Sequence, residues 1–181
     1  MALTLISTHT ASASATLDIT SGITSTYDSY EFHCVNMHPA TDQAYFSFQV
    51  NASNDTGGGF DTSLITSTAF EAFHNEAGTD ESLEYRPSDL AQEALFQNLS
   101  TAGCSSDDDH AMNSILTLYA PSSTTYVKHF TARTAFTTGS NYATDSYVAG
   151  YINQTLAIPE ISFKFHSGNI DAGTIHMYGV G

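Results

Sequence analysis

Tryptophan is absent from the 181 residues, and lysine and arginine together number four: Arg86, Lys128, Arg133 and Lys164. Set against 19 acidic residues, they leave a formal net charge of −15. A phosphate backbone needs several cations gathered in one patch, so the composition argues against nucleic acid as a partner. The same deficit argues against anionic membrane surfaces. No stretch approaches the roughly 18 apolar residues of a membrane span. The opening MALTLISTHTASASA has Ala-x-Ala triplets but no basic residue. Its apolar run, Ala2–Ile6, falls short of the roughly 7–15 residues of a secretion signal. The expectation is a soluble chain without its own export leader, and the sequons at Asn51, Asn54, Asn98 and Asn153 then carry no weight. Cysteine is scarce as well. Cys34 sits in an alternating stretch and reads as a small buried hydrophobe, Cys104 falls in a polar loop, and a domain of this size requires no bridge between them.

What is present is a 41% hydrophobic and 12% aromatic composition with only 13% charge, its polarity carried by Ser, Thr and Asn. Threonine and aromatics suit strands, and one domain of this length can bury a substantial core. The clearest stretch is Ile115–Phe136. Leu116 and Leu118 alternate with Ile115, Thr117 and Tyr119, then Pro121–Thr124 breaks the ladder. Tyr126, Phe130, Ala132 and Phe136 alternate again on the return, with Val127 and His129 opposite. Period two on both sides of a turn predicts an antiparallel hairpin with one buried face. Ala44, Phe46, Phe48 and Val50 give the cleanest core face. Tyr30–Met37 alternates too, and His38-Pro39 ends it.

Elsewhere the pattern is thinner. Ala2–Ile6 and Ala13–Thr20 read as strands around a small-residue linker, Ser7–Ser12. Asn51–Asp61, with Gly57-Gly58-Gly59, reads as a flexible loop. Leu64–His74 fits strand or helix, with its threonines favouring strand. Glu76–Asp89 is acidic and turn-rich. Ser88 can cap a short helix over Leu90–Leu99, with Asp89 at its positive end and Leu90, Ala94 and Leu95 on one side. Tyr147–Asn153 and Ile161–His166 follow, the latter with Phe163 and Phe165 inward. Ser167-Gly168-Asn169 and Asp171-Ala172-Gly173 mark turns, and Thr174–Val180 is the last strand. Nine or ten strands at this cadence predict an all-β fold, an antiparallel two-sheet sandwich of jelly-roll type with at most one short helix. Residues 1–15 form an N-terminal strand or arm, and residues 16–181 a single domain.

Residue chemistry nominates no catalytic, cofactor or metal site. The eight histidines, His9, His33, His38, His74, His110, His129, His166 and His176, contain no H-x-x-x-H or H-E-x-x-H pair. His33, His129, His166 and His176 belong on the solvent face of strands. Asp107-Asp108-Asp109-His110 lacks the glycine and closing glutamate of a calcium loop and reads as a solvated acidic segment. No G-x-S-x-G elbow is present, and Gly57–Gly59 lacks a following Lys-Ser/Thr. Many Asp and Glu could form a pair for glycoside cleavage, and nothing singles one out.

Ile115–Phe130, ILTLYAPSSTTYVKHF, and Ser162–Gly179, SFKFHSGNIDAGTIHMYG, resemble virion structural proteins of tailed phages from marine and cyanobacterial hosts. The Ser21–Val35 approach to a strand, Phe46-Ser47-Phe48, Val148-Ala149-Gly150-Tyr151 and the terminal Met177-Tyr178-Gly179 match in kind. Ala172-Gly173 departs from a Gly-Gly pattern. The resemblance implies a jelly-roll-like, non-enzymatic protein present in several copies on a virion assembled in the host cytoplasm. Its expected role is capsid decoration or cement on the head exterior, bound to the major capsid protein or other virion proteins. A homotrimer is expected by fold-level analogy, and Met1–Ala15 is the candidate arm to a neighbour. The alternative is a tail or baseplate adhesin that recognises host glycan through Asn51–Asp61 and Gly139–Asp145. A small glycan-active enzyme is a third class.

Overall fold

The strongest alternation in the sequence becomes the middle of a large sheet. In a computed structural model, which describes residues 2–53, 60 and 63–181, Met112–Tyr119 forms β9 and Lys128–Thr137 forms β10. The two strands pair antiparallel, with Phe130 opposite Leu118 and Ala132 opposite Leu116. Leu116, Leu118, Phe130, Ala132 and Phe136 are buried, while Ile115 and Tyr119 face solvent, as the alternation predicts. The remaining strands are β1 (Leu3–Ser14), β2 (Leu17–Ile19), β3 (Ser29–Pro39), β4 (Phe46–Asn51), β5 (Ile65–Asn75), β6 (Glu81–Tyr85), β7 (Ala91–Glu93), β8 (Gln97–Asn98), β11 (Tyr142–Ile152), β12 (Glu160–Phe165) and β13 (Ile170–Val180). All pairings are antiparallel.

The chain alternates between two sheets. One has the order β2-β12-β4-β8, and the other begins β1-β13-β3-β9. The last two strands therefore insert between the first and second pairs, once in each sheet. Those eight strands make a jelly-roll wiring, an all-β sandwich of two antiparallel sheets. The larger sheet then continues through β10-β11-β5-β6, with β7 also on β5, to nine strands. The core between the sheets is aromatic. Phe163 of β12 lies 5.7 Å from Phe32 of β3 and 5.9 Å from Phe46 of β4, and Phe48 meets Phe130 edge-on at 5.1 Å. Burying a ring of this size contributes roughly 1.5–3 kcal/mol, so this cluster is a main source of sandwich stability.

Several expectations are corrected. No helix forms among the described residues, and Leu90–Leu99 instead holds β7 and β8. The Leu90 amide donates to Ser67 Oγ (2.9 Å), and the Gln97 side-chain amide donates to the carbonyls of Ser88 and Asn98 (3.0 and 2.9 Å). Tertiary partners thus take the groups that a helix would use, overriding the local cap and spacing. Among the described residues thirteen strands replace the expected nine or ten, and β6 arises within the stretch read as acidic and turn-rich. Every residue of β6 is exposed, so no apolar alternation marks it. Ser7–Ser12 is the interior of β1 and not a linker. The expected boundary at residue 15 falls where the chain crosses from one sheet to the other, and β1 lies along β13 of its own chain.

Asp171-Ala172-Gly173 is not a turn. It sits inside β13, where the register with β3 shifts on both sides of Ala172. Gly173 has φ of +128°, and a Cβ there would lie 2.8 Å from Met37 Cα, so the bulge requires glycine at that position. Cys104 lies in a loop between strands, as expected, but is buried there, bridging Ala44 and Thr138 through its backbone. Both cysteines are unbridged, and burial pushes the Cys104 thiol up to about 12 and the Cys34 thiol higher still. Gly57–Gly59 lies outside the described residues.

Candidate interaction surface

Antiparallel register builds rows of side chains across a sheet, and on the outer face of the larger sheet one row crosses eight strands. It runs Thr8, His176, His33, Ile115, Arg133, Tyr147, Phe70, Tyr85. A neighbouring row runs Leu5, Tyr178, Glu31, Thr117, Thr131, Ala149, Thr68. On the other side lie Asn113, Ala135, Asp145, Ala72 and Leu83. These positions are one residue out of phase with the core, which is why apolar, hydroxyl and aromatic groups collect outside as well as inside.

Tyr147 and Phe70 stand on adjacent strands with parallel rings 4.9 Å apart, and the Arg133 guanidinium sits 5.2 Å from the Tyr147 ring. Arg133 also donates to both carboxylate oxygens of Asp145, from Nε at 3.0 Å and Nη2 at 2.8 Å. The guanidinium holds the Asp145 carboxyl below its usual range, and the carboxylate raises the arginine in turn. At the other end of the row His33 Nε2 meets Glu31 Oε2 at 2.8 Å, and its ring lies 4.7 Å from Tyr178. Asp145 is thus matched locally by the Arg133 cation, and Glu31 has a hydrogen-bonding partner in His33.

Below the Arg133–Tyr147–Phe70 stack runs an open trough of about 890 Å3, lined by Val35, Ile115, Ala72, Ala135 and Ala143, with His33 and His74 at its margins. Alanines on three adjacent strands leave the floor low, and the taller aromatic and arginine side chains stand beside it. Val35 and Ile115 are 39% and 47% exposed. An apolar depression on a wide sheet, bordered by hydrogen-bonding groups, fits a protein contact.

The inner face beneath this extension is partly polar. Glu71 is buried, with Thr101 Oγ1 donating to its carboxylate and Arg86 Nε 3.3 Å away. The Thr101 amide donates to Ser146 Oγ at 3.2 Å, pinning residues 99–105 over the sheet. Gly103 lies against Gln43, where a Cβ would come within 2.6 Å of backbone. Lys128 is also buried and donates to the carbonyls of Tyr126 and Gln154 (2.8 and 3.0 Å), and burial lowers its pKa. These groups are spoken for by structure. They line no cleft.

Three of the four histidines expected on the solvent faces of strands are there, and His166 lies just past the end of β12. His33, His129 and His176 lie on the outer face, and exposed His166 accepts the Tyr45 amide through Nδ1 at 2.8 Å. Asp107 and Asp109 lie 3.8 and 3.9 Å from His110, and the Asp107 carbonyl lies 3.2 Å from His38 Nε2. Among the described residues, no three His, Cys, Asp or Glu side chains gather as a metal site. No helix is long and apolar enough to cross a membrane among them. Asn51–Asp61 lies mostly outside the described residues. In Gly139–Asp145, Asp145 is committed to Arg133, and the Tyr142 hydroxyl donates to Asp80 (2.8 Å). Sequence reading missed the outer-face rows altogether, because they exist only once the strand register is known.

No protein-family model, curated protein or solved structure matches this chain.

Proposed function

We propose that this chain is a non-enzymatic structural protein of a tailed-phage virion, seated on the outside of the head as a decoration or cement module. The observation that carries the reading is the outer face of the nine-stranded sheet. It joins an apolar trough to rows of threonine and tyrosine and to the Arg133–Asp145 pair in a molecule whose net charge is −15. Such a face suits docking on the major capsid protein or another virion protein, and repetition over a particle turns weak individual contacts into high avidity. The jelly-roll wiring and the sequence resemblance support the same reading. Assembly takes place in the host cytoplasm, and the module is present in several copies.

Gold-tagged antibody against the chain, imaged on intact particles, tests it. Label spread over the head is the expected result. Label confined to the tail replaces it with the adhesin reading, which host-glycan binding then checks. Absence of label, with the epitope accessible on dissociated particles, overturns an exterior virion role. At the surface itself, Ile115→Asp places a charge in the trough without entering the core, and is expected to lower particle occupancy at least about tenfold, the effect of roughly 1.4 kcal/mol.

A further inference from the structure

The larger sheet ends on β1, and among the described residues the side of β1 away from β13 pairs with no other strand. Near its C-terminal end that strand is closed off locally. The Ser12 amide donates to Ser14 Oγ (3.2 Å), and the Ala13 carbonyl accepts from Asn169 Nδ2 (3.0 Å). Because the Ser12 amide is not given to β13, two-residue alternation turns the amides of Thr10 and Thr8 the same way, toward the open side. The register shifts at Ile6, and Ala13 has φ of +50° with the register unbroken, so a bulge on one side and a left-handed residue on the other bracket the regular stretch Ser7–Ser12.

Open edges are ordinarily guarded by charge, proline or short length. β1 has twelve residues and carries no Asp, Glu, Lys, Arg or Pro, and the first charged side chain in the chain is Asp18. Leu3 and Leu5 in it are 47% and 54% exposed. In a molecule of net charge −15, most approaches of two copies bring like charges together. An uncharged strand meeting its own copy avoids that.

We propose that β1 pairs antiparallel with β1 of a second copy across a two-fold axis at His9. This register sets Thr8 opposite Thr10 of the other copy, so that their outward amides and carbonyls bond across the axis. It uses the regular stretch between the Ile6 bulge and Ala13 and leaves the capped Ser12 amide outside. On the outer face the threonine pairs extend a hydroxyl ladder begun within each copy, where Thr8 Oγ1 lies 3.0 Å from His176 Nδ1 and Thr10 Oγ1 3.4 Å from Thr174 Oγ1. Two nine-stranded sheets become one continuous sheet, with both troughs on the same side. The contact is isologous and closes on itself. It gives a two-fold dimer in place of the three-fold state expected by analogy, and it stands whether or not the protein belongs to a virion.

Sedimentation of the full chain from about 1 µM to about 1 mM, the span in which weak interfaces form, tests this. Wild type is expected to move from 19.4 kDa to twice that mass. Thr10→Pro removes one outward amide while leaving the ladder to β13, and is expected to stay at 19.4 kDa with an unchanged circular dichroism spectrum. The His9→Cys variant, exposed to oxidised glutathione, is expected to yield a disulfide-linked dimer, whereas the buried Cys34 and Cys104 of the wild type yield none. A wild type that remains monomeric overturns the proposal, as does one that forms trimers. A dimer that survives Thr10→Pro and leaves the His9→Cys variant uncross-linked overturns it too. The gold-labelling result is independent of all these outcomes.

Discussion

The two edges of the nine-stranded sheet differ in length and in charge, two properties that govern strand pairing. At one edge β6 is five residues long, carries Glu81 and Glu84, and is followed by Arg86-Pro87. Arg86 reaches Glu84 at 2.7 Å and lies 3.3 Å from buried Glu71, so the β6 edge is both charged and tied to the body of the sheet. At the other edge β1 is twelve residues long and uncharged. Leu83 and Tyr85 on β6 are 71% and 59% exposed, more than Leu3 and Leu5 on β1. Exposed apolar surface therefore does not distinguish the two edges. Charge and length do, and they mark β1 as the side on which the sheet can grow.

The largest expected effect breaks the anchor of the guarded edge. Arg86→Ala leaves the buried Glu71 carboxylate without its cation, an arrangement that costs about 3 kcal/mol. Urea unfolding is expected to show that loss, with local loosening of β6. Next, Glu81→Thr combined with Glu84→Thr makes β6 resemble β1. With two unguarded edges the closed dimer is no longer the end point, and light scattering at high concentration is expected to show open-ended assemblies. Thr10→Pro touches only the open side of β1, so its effect on the stability of a single copy is expected to stay within about 0.5 kcal/mol.

The smallest effect lies between the edges, at Arg133 and Asp145. The pair is exposed, so solvent screens it and its contribution is small. Asp145 has a lowered pKa in the fold, so its contribution is present above the unfolded carboxylate value, near 3.9, and is lost as pH falls through the lower folded value. Arg133→Ala is expected to flatten that acid-side slope slightly in pH-dependent unfolding.

How much of this could be read in the sequence follows from where the information lies. β4 and β10 were legible because Phe46, Phe48 and Val50, or Phe130, Ala132 and Phe136, alternate in plain view. β1 was half legible. Leu3 and Leu5 mark its start, but Ser7–Ser12 has no apolar face, and its strand state comes from the ladder to β13. The false helix at Leu90–Leu99 had a sound local pattern, and it failed because Ser67 and Gln97 take up the local polar groups. The outer face was not legible at all. Arg133, Tyr147, Phe70 and Tyr85 are up to 77 residues apart in sequence and become neighbours only through register.

Site-resolved hydrogen exchange at the two edges, at low and high protein concentration, tests the edge asymmetry most directly. The account predicts that the Thr8 and Thr10 amides become protected as concentration rises, while the outward amides of β6 exchange quickly throughout. Fast exchange of Thr8 and Thr10 at every concentration, or concentration-dependent protection of β6, would contradict it.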